Sequence, residues 1–141
     1  MHETYRIAYR DDHDEAALDV IGPGIHFFNR DQAGDGRHQR LCFALYAPDD
    51  AIVGGLVGDT SWGWLHVDLL WIREDLRGQG YGRQLLAQAE DEARRRGVKH
   101  AFLDTFGFQA PAFYQKQGYV VFGELDDFPA GHRRYWLKKD L

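Results

Sequence analysis

Between residues 77 and 82 the chain reads Arg-Gly-Gln-Gly-Tyr-Gly, and this run joins two segments of different periodicity. Upstream, Trp64-Leu65-His66-Val67-Asp68-Leu69-Leu70-Trp71-Ile72 is rich in β-branched and aromatic residues and predicts a strand. Downstream, apolar residues at Leu85, Leu86, Ala89 and Ala93 follow the spacing of one helix face. A junction of this kind leaves the N–H groups at the helix start without intrahelical acceptors. The helix dipole adds positive potential at the same point. Glycines there let a ligand reach the bare backbone. The run therefore reads as a cradle for an anion, with a pyrophosphate the best fit; without a ligand it is only a glycine-rich helix entry.

Two familiar phosphate loops do not fit. A P-loop requires Lys and then Ser or Thr after its last glycine, and here Gly82 is followed by Arg83-Gln84. A dinucleotide fingerprint requires Gly-x-Gly-x-x-Gly, and Arg83 stands where its third glycine belongs. The pattern Arg77-x-x-Gly80-x-Gly82 instead resembles the acetyl-CoA pyrophosphate loop of the GNAT (Gcn5-related N-acetyltransferase) superfamily. Further on, Ala110-Pro111-Ala112-Phe113-Tyr114-Gln115-Lys116-Gln117-Gly118-Tyr119 is similar to the late helix of that family and the strand after it. The resemblance covers the chain from about Ala51 to Trp136. One departure is Gln109, which stands nearest to where the family often carries an Asn that contacts the cofactor.

Composition narrows the rest. At 141 residues the chain is long enough for one domain over residues 1–141 with a single core. A net charge of −5 argues against a nucleic-acid partner, which calls for a basic face. It is mildly favourable to a cationic substrate such as an amine. A single cysteine, Cys42, excludes an internal disulfide and points to a reducing, cytoplasmic location. Its apolar neighbours suggest a buried structural thiol. No apolar stretch approaches membrane-spanning length, so no membrane partner is expected, and His and Asp near the N-terminus lack metal-ligand spacing, so no metal is expected either. A homodimer is left open.

Along the chain, residues Thr4 to Tyr9 alternate as a first strand, and a helix through Ala16, Ala17, Leu18 and Val20 follows the acidic run Asp11-Asp12-His13-Asp14. Gly22-Pro23-Gly24 is expected to break that helix, with a second helical piece at Ile25–Asn29. Strands are expected over Arg40–Ala47, Ala51–Asp59 and the motif segment; then a helix from Gly82 to Arg96, a strand at His100–Thr105, a helix at Pro111–Gln117, and strands at Tyr119–Glu124 and Arg133–Lys138. Gly54, Gly55 and Gly58 suggest a bulge or a close backbone approach. Arg94-Arg95-Arg96 reads as solvated helix-end charge. The order predicts an α/β domain with a mixed central sheet of about seven strands flanked by helices. The GNAT-like acyl-CoA N-acyltransferase fold that the resemblance implies has the same form.

His66 and Asp68 are two apart and are expected to share one strand face, with Leu70 and Ile72 continuing it toward the loop. Ionisable residues inside a central strand are costly unless paired or wet, so they suggest a cavity or a mutually satisfied pair. The resemblance implies that this cavity is where an acceptor amine meets an acetyl thioester. It also implies proton-accepting side chains at positions matched by Asp68 and His66, because an ammonium has no lone pair until a base removes a proton. Tyr114 matches the residue that protonates or hydrogen-bonds the departing sulfur. Acetyl-CoA is then the co-substrate, bound at Leu70, Ile72, Arg77, Gly78, Gln79, Gly80, Tyr81, Gly82, Arg83 and Gln109. The expected function is N-acetylation of a small-molecule amine by direct attack. The alternatives are acetylation of a protein N-terminus or lysine, and a non-catalytic acyl-CoA-binding module.

Overall fold

The computed structural model describes residues 4–10 and 14–141, which fall into two compact units, 1–36 and 37–141. The expected first strand does not form: residues 4–10 have no regular structure. Tyr5, Ile7 and Tyr9 recur at every second position, but alternation becomes a strand only where a neighbouring strand supplies hydrogen bonds. In the same unit one helix, α1 (Glu15–Ala33), replaces the two expected pieces. Asp14 caps it by accepting from the Ala17 N–H at 3.2 Å, and Gly34 ends it at φ 79°. Asp11-Asp12-His13 lie outside the described residues. Pro23 lies within α1 rather than ending it. A proline removes one helix bond and bends the axis, yet Leu18, Ile21, Ile25 and Phe28 keep a 3–4–3 spacing straight across it.

The second unit is a six-stranded mixed sheet with three helical segments. The strands are β1 (Gln39–Tyr46), β2 (Ile52–Ser61), β3 (Trp64–Ile72), β4 (His100–Phe106), β5 (Val120–Asp126) and β6 (Arg133–Asp140). Their spatial order is β1-β2-β3-β4-β6-β5, and only β3–β4 is parallel. Six strands replace about seven because the N-terminal one is missing. A short 3₁₀ turn (Glu74–Leu76) follows β3; α2 (Tyr81–Arg95) connects the loop to β4, and α3 (Pro111–Lys116) connects β4 to β5.

One face of the sheet is apolar because the strands alternate. Leu41, Leu56, Leu65, Val67, Ala101, Leu103 and Leu137 point to it, and α2 covers it with Leu85, Leu86, Ala89 and Ala93. Each buried leucine contributes roughly 1.5–3 kcal/mol through area removed from water. Cys42 takes the opposite face from Leu41 and is exposed, so the expectation of a buried thiol fails by one step of the pleat.

Two ties fix α2 on the sheet. Arg96, expected in solvent, is only 14% exposed. It donates to the carbonyls of Gln39 and Arg40 at 3.1 and 3.0 Å, to Thr60 Oγ1 at 3.0 Å and to Glu92 at 3.2 Å, and so anchors the helix end to β1. Glu90, buried in α2, accepts from the Tyr119 hydroxyl at 2.8 Å and from Lys139 Nζ at 2.9 Å. Burial, and then the Glu90 carboxylate, push the Tyr119 phenol strongly upward.

Candidate active site

Trp62 and Gly63, both at positive φ, make the two-residue turn that closes the β2–β3 hairpin. This sets Asp59 opposite His66. Further along, the register slips: Gly58 pairs with Val67 but Val57 pairs with Leu69, which leaves Asp68 as the extra residue of a β-bulge. Gly58 permits this tight geometry, since a Cβ there would lie 2.4 Å from the His66 carbonyl oxygen. The bulge inverts the alternation beyond it. Leu70 and Ile72 pack on the core face with Val67, and do not continue the face of His66 and Asp68 as their spacing suggested. Asp68 is exposed on the bulge.

The bulge coincides with an opening in the sheet. Pairing of β3 with β4 ends at Val67 and Leu103. From there to Ile72, β3 keeps only its β2 neighbour. The Arg73 N–H donates to the Val53 carbonyl at 2.9 Å. In an antiparallel pair the bonding direction alternates, so the Leu70 and Ile72 backbone groups point away from β2, into the gap. Arg77 Nε occupies one of them, the Ile72 carbonyl, at 2.8 Å. The remaining outward groups offer a ligand part of the ladder that β4 has abandoned.

The glycine loop lies at the end of this gap. Gly78 and Gly80 have φ 75° and 88°, and Gly80 is the N-cap of α2 without a capping side chain. Gln84 is the first residue of the helix whose N–H finds an acceptor, the Gly80 carbonyl at 3.1 Å. The N–H groups of Tyr81, Gly82 and Arg83 have none among the described residues. No acidic residue occupies the first turn, and Arg83 stands there instead. That arrangement opposes the dipole preference for negative charge and suits an incoming anion. Gln79 Nε2 donates to the Asp75 carbonyl at 3.3 Å and pins the loop to the preceding turn. A Cβ on Gly82 would meet Phe113 Cζ at 3.4 Å, so α3 rests against the loop.

Tyr114 follows Phe113 and is 8% exposed. Burial, and then the charge of Asp104, push its phenol up to about 12, so it keeps its proton at neutral pH. Its hydroxyl takes no hydrogen bond from the described residues. The side-chain oxygen of Gln109 accepts from the Phe106 N–H at 2.9 Å and from Thr105 Oγ1 at 3.0 Å. It thus closes the end of β4, and its amide nitrogen remains as a donor. Lys116 is exposed.

On the face opposite α2, His66 stacks on Phe102 at 4.7 Å and 15°. Its charged neighbour is Asp59, 3.3 Å from Nδ1, and not Asp68. Asp104, just past the last β3–β4 pair, accepts from Arg134 Nε at 2.7 Å. The guanidinium carbon of Arg134 lies 4.9, 4.6 and 5.2 Å from the rings of Phe106, Phe128 and Trp136. Asp59, Asp104 and Arg134 were not singled out in the sequence; the legible signal was an acid between Phe102 and Phe106 at strand spacing. No metal-binding cluster of His, Cys, Asp or Glu occurs among the described residues. Nor does any helix there have the length and apolarity to cross a membrane.

Comparison with known proteins gives a consistent picture. A family model described as "Acetyltransferase (GNAT) family" matches residues 1–119. The chain is 43% identical to the blasticidin-S acetyltransferase of Streptomyces morookaense, over 87% of this chain and 92% of that one. It is 36% identical to an acetyltransferase of Agrobacterium fabrum, over 89% and 92%. The crystal structure of an acetyltransferase from Bacillus cereus superposes with a TM-score of 0.87 at 30% identity, covering 95% of this chain and 98% of the other.

Proposed function

The chain belongs to the acetyltransferase (GNAT) family, and from that premise we propose that it moves an acetyl group from acetyl-CoA directly onto the amine of a small molecule. N-Acetyltransferase activity follows from the family and from the named relatives, and GNAT acetyltransferases use acetyl-CoA. The two compact units are read as one catalytic domain, since one family model runs through both.

The observation that carries the donor site is the open β3–β4 gap leading to the uncapped start of α2. The free N–H groups of Tyr81, Gly82 and Arg83 and the Arg83 side chain would receive the pyrophosphate. The outward backbone at Leu70 and Ile72 would run along the pantetheine arm as a missing strand does. Tyr114, a buried phenol that holds its proton, would protonate the departing sulfur. The amine would arrive from the face that carries His66, Asp59 and Asp104.

A small-molecule acceptor is favoured by the blasticidin-S acetyltransferase likeness, which extends over nearly the full length of both chains. The test is acetyl-CoA-dependent product formation, followed by mass spectrometry, over a panel of small amines that includes blasticidin S and a matched panel of peptides. Acetylated small amines with unmodified peptides support the reading. Peptide acetylation alone overturns it.

A further inference from the structure

We infer that Asp59 is the positioning residue that makes His66 the proton acceptor for the amine, leaving Asp68 outside that step. The inference rests on the acetyltransferase reading above and deepens it.

Asp59 and His66 face each other across the β2–β3 hairpin, and Asp59 Oδ1 lies 3.3 Å from His66 Nδ1. A carboxylate only accepts, so the ring nitrogen beside it is the one that carries hydrogen. The lone pair of the neutral ring is thereby assigned to Nε2. The contact is a close approach of the two groups and not yet a formed hydrogen bond, as catalytic contacts often are before substrate closes them. The other carboxylate oxygen is held by His38 Nε2 at 2.8 Å. Both oxygens of Asp59 are therefore engaged. Phe102 stacks on the imidazole from β4 and fixes the ring plane. His66 is one-third exposed, so a substrate can reach it. Its pairing partner Phe102 lies one residue before the point where β3 and β4 part. Asp68, in contrast, sits exposed on the bulge.

The other ionisable groups on this face are Arg40, opposite Asp59 on β1; Asp68 on β3; His100 and Asp104, flanking Phe102 on β4; and, one strand further, Arg134 and Lys138 on β6. Asp104 is engaged by Arg134, and His100 is engaged by Asp140 at 2.8 Å.

The nitrogen of the bound ammonium gives up two protons in all. The first passes to His66 Nε2 and then to water, leaving the amine its lone pair. That pair forms the new bond to the thioester carbonyl carbon. The carbon–sulfur bond breaks with its electrons on sulfur, and the second proton ends there as the free thiol.

Two measurements test this. Long-range ¹H–¹⁵N NMR of the ligand-free protein, with His66→Gln to assign the signal, should find neutral His66 protonated at Nδ1. Asp59→Ala should abolish that preference. An Nε2-protonated ring in the wild type, or no change in Asp59→Ala, overturns the inference whether or not any amine is acetylated. In pH–rate profiles, His66→Gln should remove the acidic limb. Asp59→Asn should lower kcat roughly 10²-fold or more, with KM for acetyl-CoA unchanged. A wild-type limb in His66→Gln, with Asp68→Asn erasing it, or a wild-type kcat in Asp59→Asn, overturns the inference while the transfer reaction itself stands.

Discussion

Val67 and Leu103 are the last residues to pair across β3 and β4, and everything proposed for the donor site lies beyond that pair. On one side of the gap the bulge at Asp68 turns Leu70 and Ile72 onto the core. On the other, β4 pairs onward only with β6. The strands part, the backbone of Leu70 and Ile72 faces the opening, and the glycine loop closes its far end.

Arg83 is expected to have opposite effects on stability and on binding. In the free protein it sits at the positive end of the α2 dipole, so Arg83→Gln should slightly raise the thermal midpoint. With CoA or acetyl-CoA present it should meet phosphate, so the same substitution should weaken binding roughly tenfold, and less so at high salt. Calorimetric melting and titration of one preparation check both. A variant that binds as tightly as wild type removes the phosphate from this helix end.

Gly80→Val should weaken acetyl-CoA binding by about tenfold or more in a folded protein. Gly80 has φ 88°, a conformation that a β-branched residue adopts only with strain. Relief of that strain swings the Tyr81, Gly82 and Arg83 N–H groups off the ligand. Circular dichroism confirms the fold, and titration reads the loss; unchanged affinity contradicts the cradle.

Tyr114→Phe should lower kcat by roughly 10²–10⁴-fold while acetyl-CoA affinity stays near wild type. The ring remains to fill its place beside Phe113 and Tyr119. Only the hydroxyl, and with it the proton donor, is lost. Because the hydroxyl holds that proton up to about pH 12, the wild-type rate should show no alkaline limb from Tyr114 in the neutral range. Near-wild-type turnover in the variant would reduce Tyr114 to packing.

Tyr119 should govern alkaline stability. Its phenol ionises far more readily in the unfolded chain than in the fold, where burial and Glu90 oppose the charge. The unfolded state therefore binds fewer protons above about pH 10, and stability falls as pH rises from there. Tyr119→Phe should flatten that decline. At neutral pH it should cost about 1–3 kcal/mol, because the hydroxyl's bond to a buried carboxylate is lost. Urea melts at neutral pH and between pH 9 and 11 check both effects.

The strand–glycine–helix junction was legible because each part has a local cause. Trp64–Ile72 is strand by composition, Tyr81–Arg95 is helix by spacing, and the glycines mark positive φ. Tyr114 was singled out through the resemblance of its neighbourhood to the family's late helix, and the structure places it buried beside the loop. The partner of His66 was not, because Asp59 lies seven residues away and faces His66 only once the Trp62-Gly63 turn sets the hairpin register. The inverted face of Leu70 and Ile72 was equally hidden, since strand alternation contains no sign of one extra residue. Arg96 read as solvent charge because its acceptors, the Gln39 and Arg40 carbonyls, are backbone groups distant in sequence. Pro23 misled because a proline need not end a helix: it costs one bond and can sit within the helix, as it does in α1.

The proposed transfer is direct, in one complex that holds acetyl-CoA and amine together. Initial rates of thiol release, measured with both substrates varied and with the acetylated amine quantified, test it most directly. Direct transfer gives intersecting double-reciprocal lines and one thiol released per acetylated amine. Parallel lines with an acetylated protein, or thiol release that no amine accelerates, would contradict it.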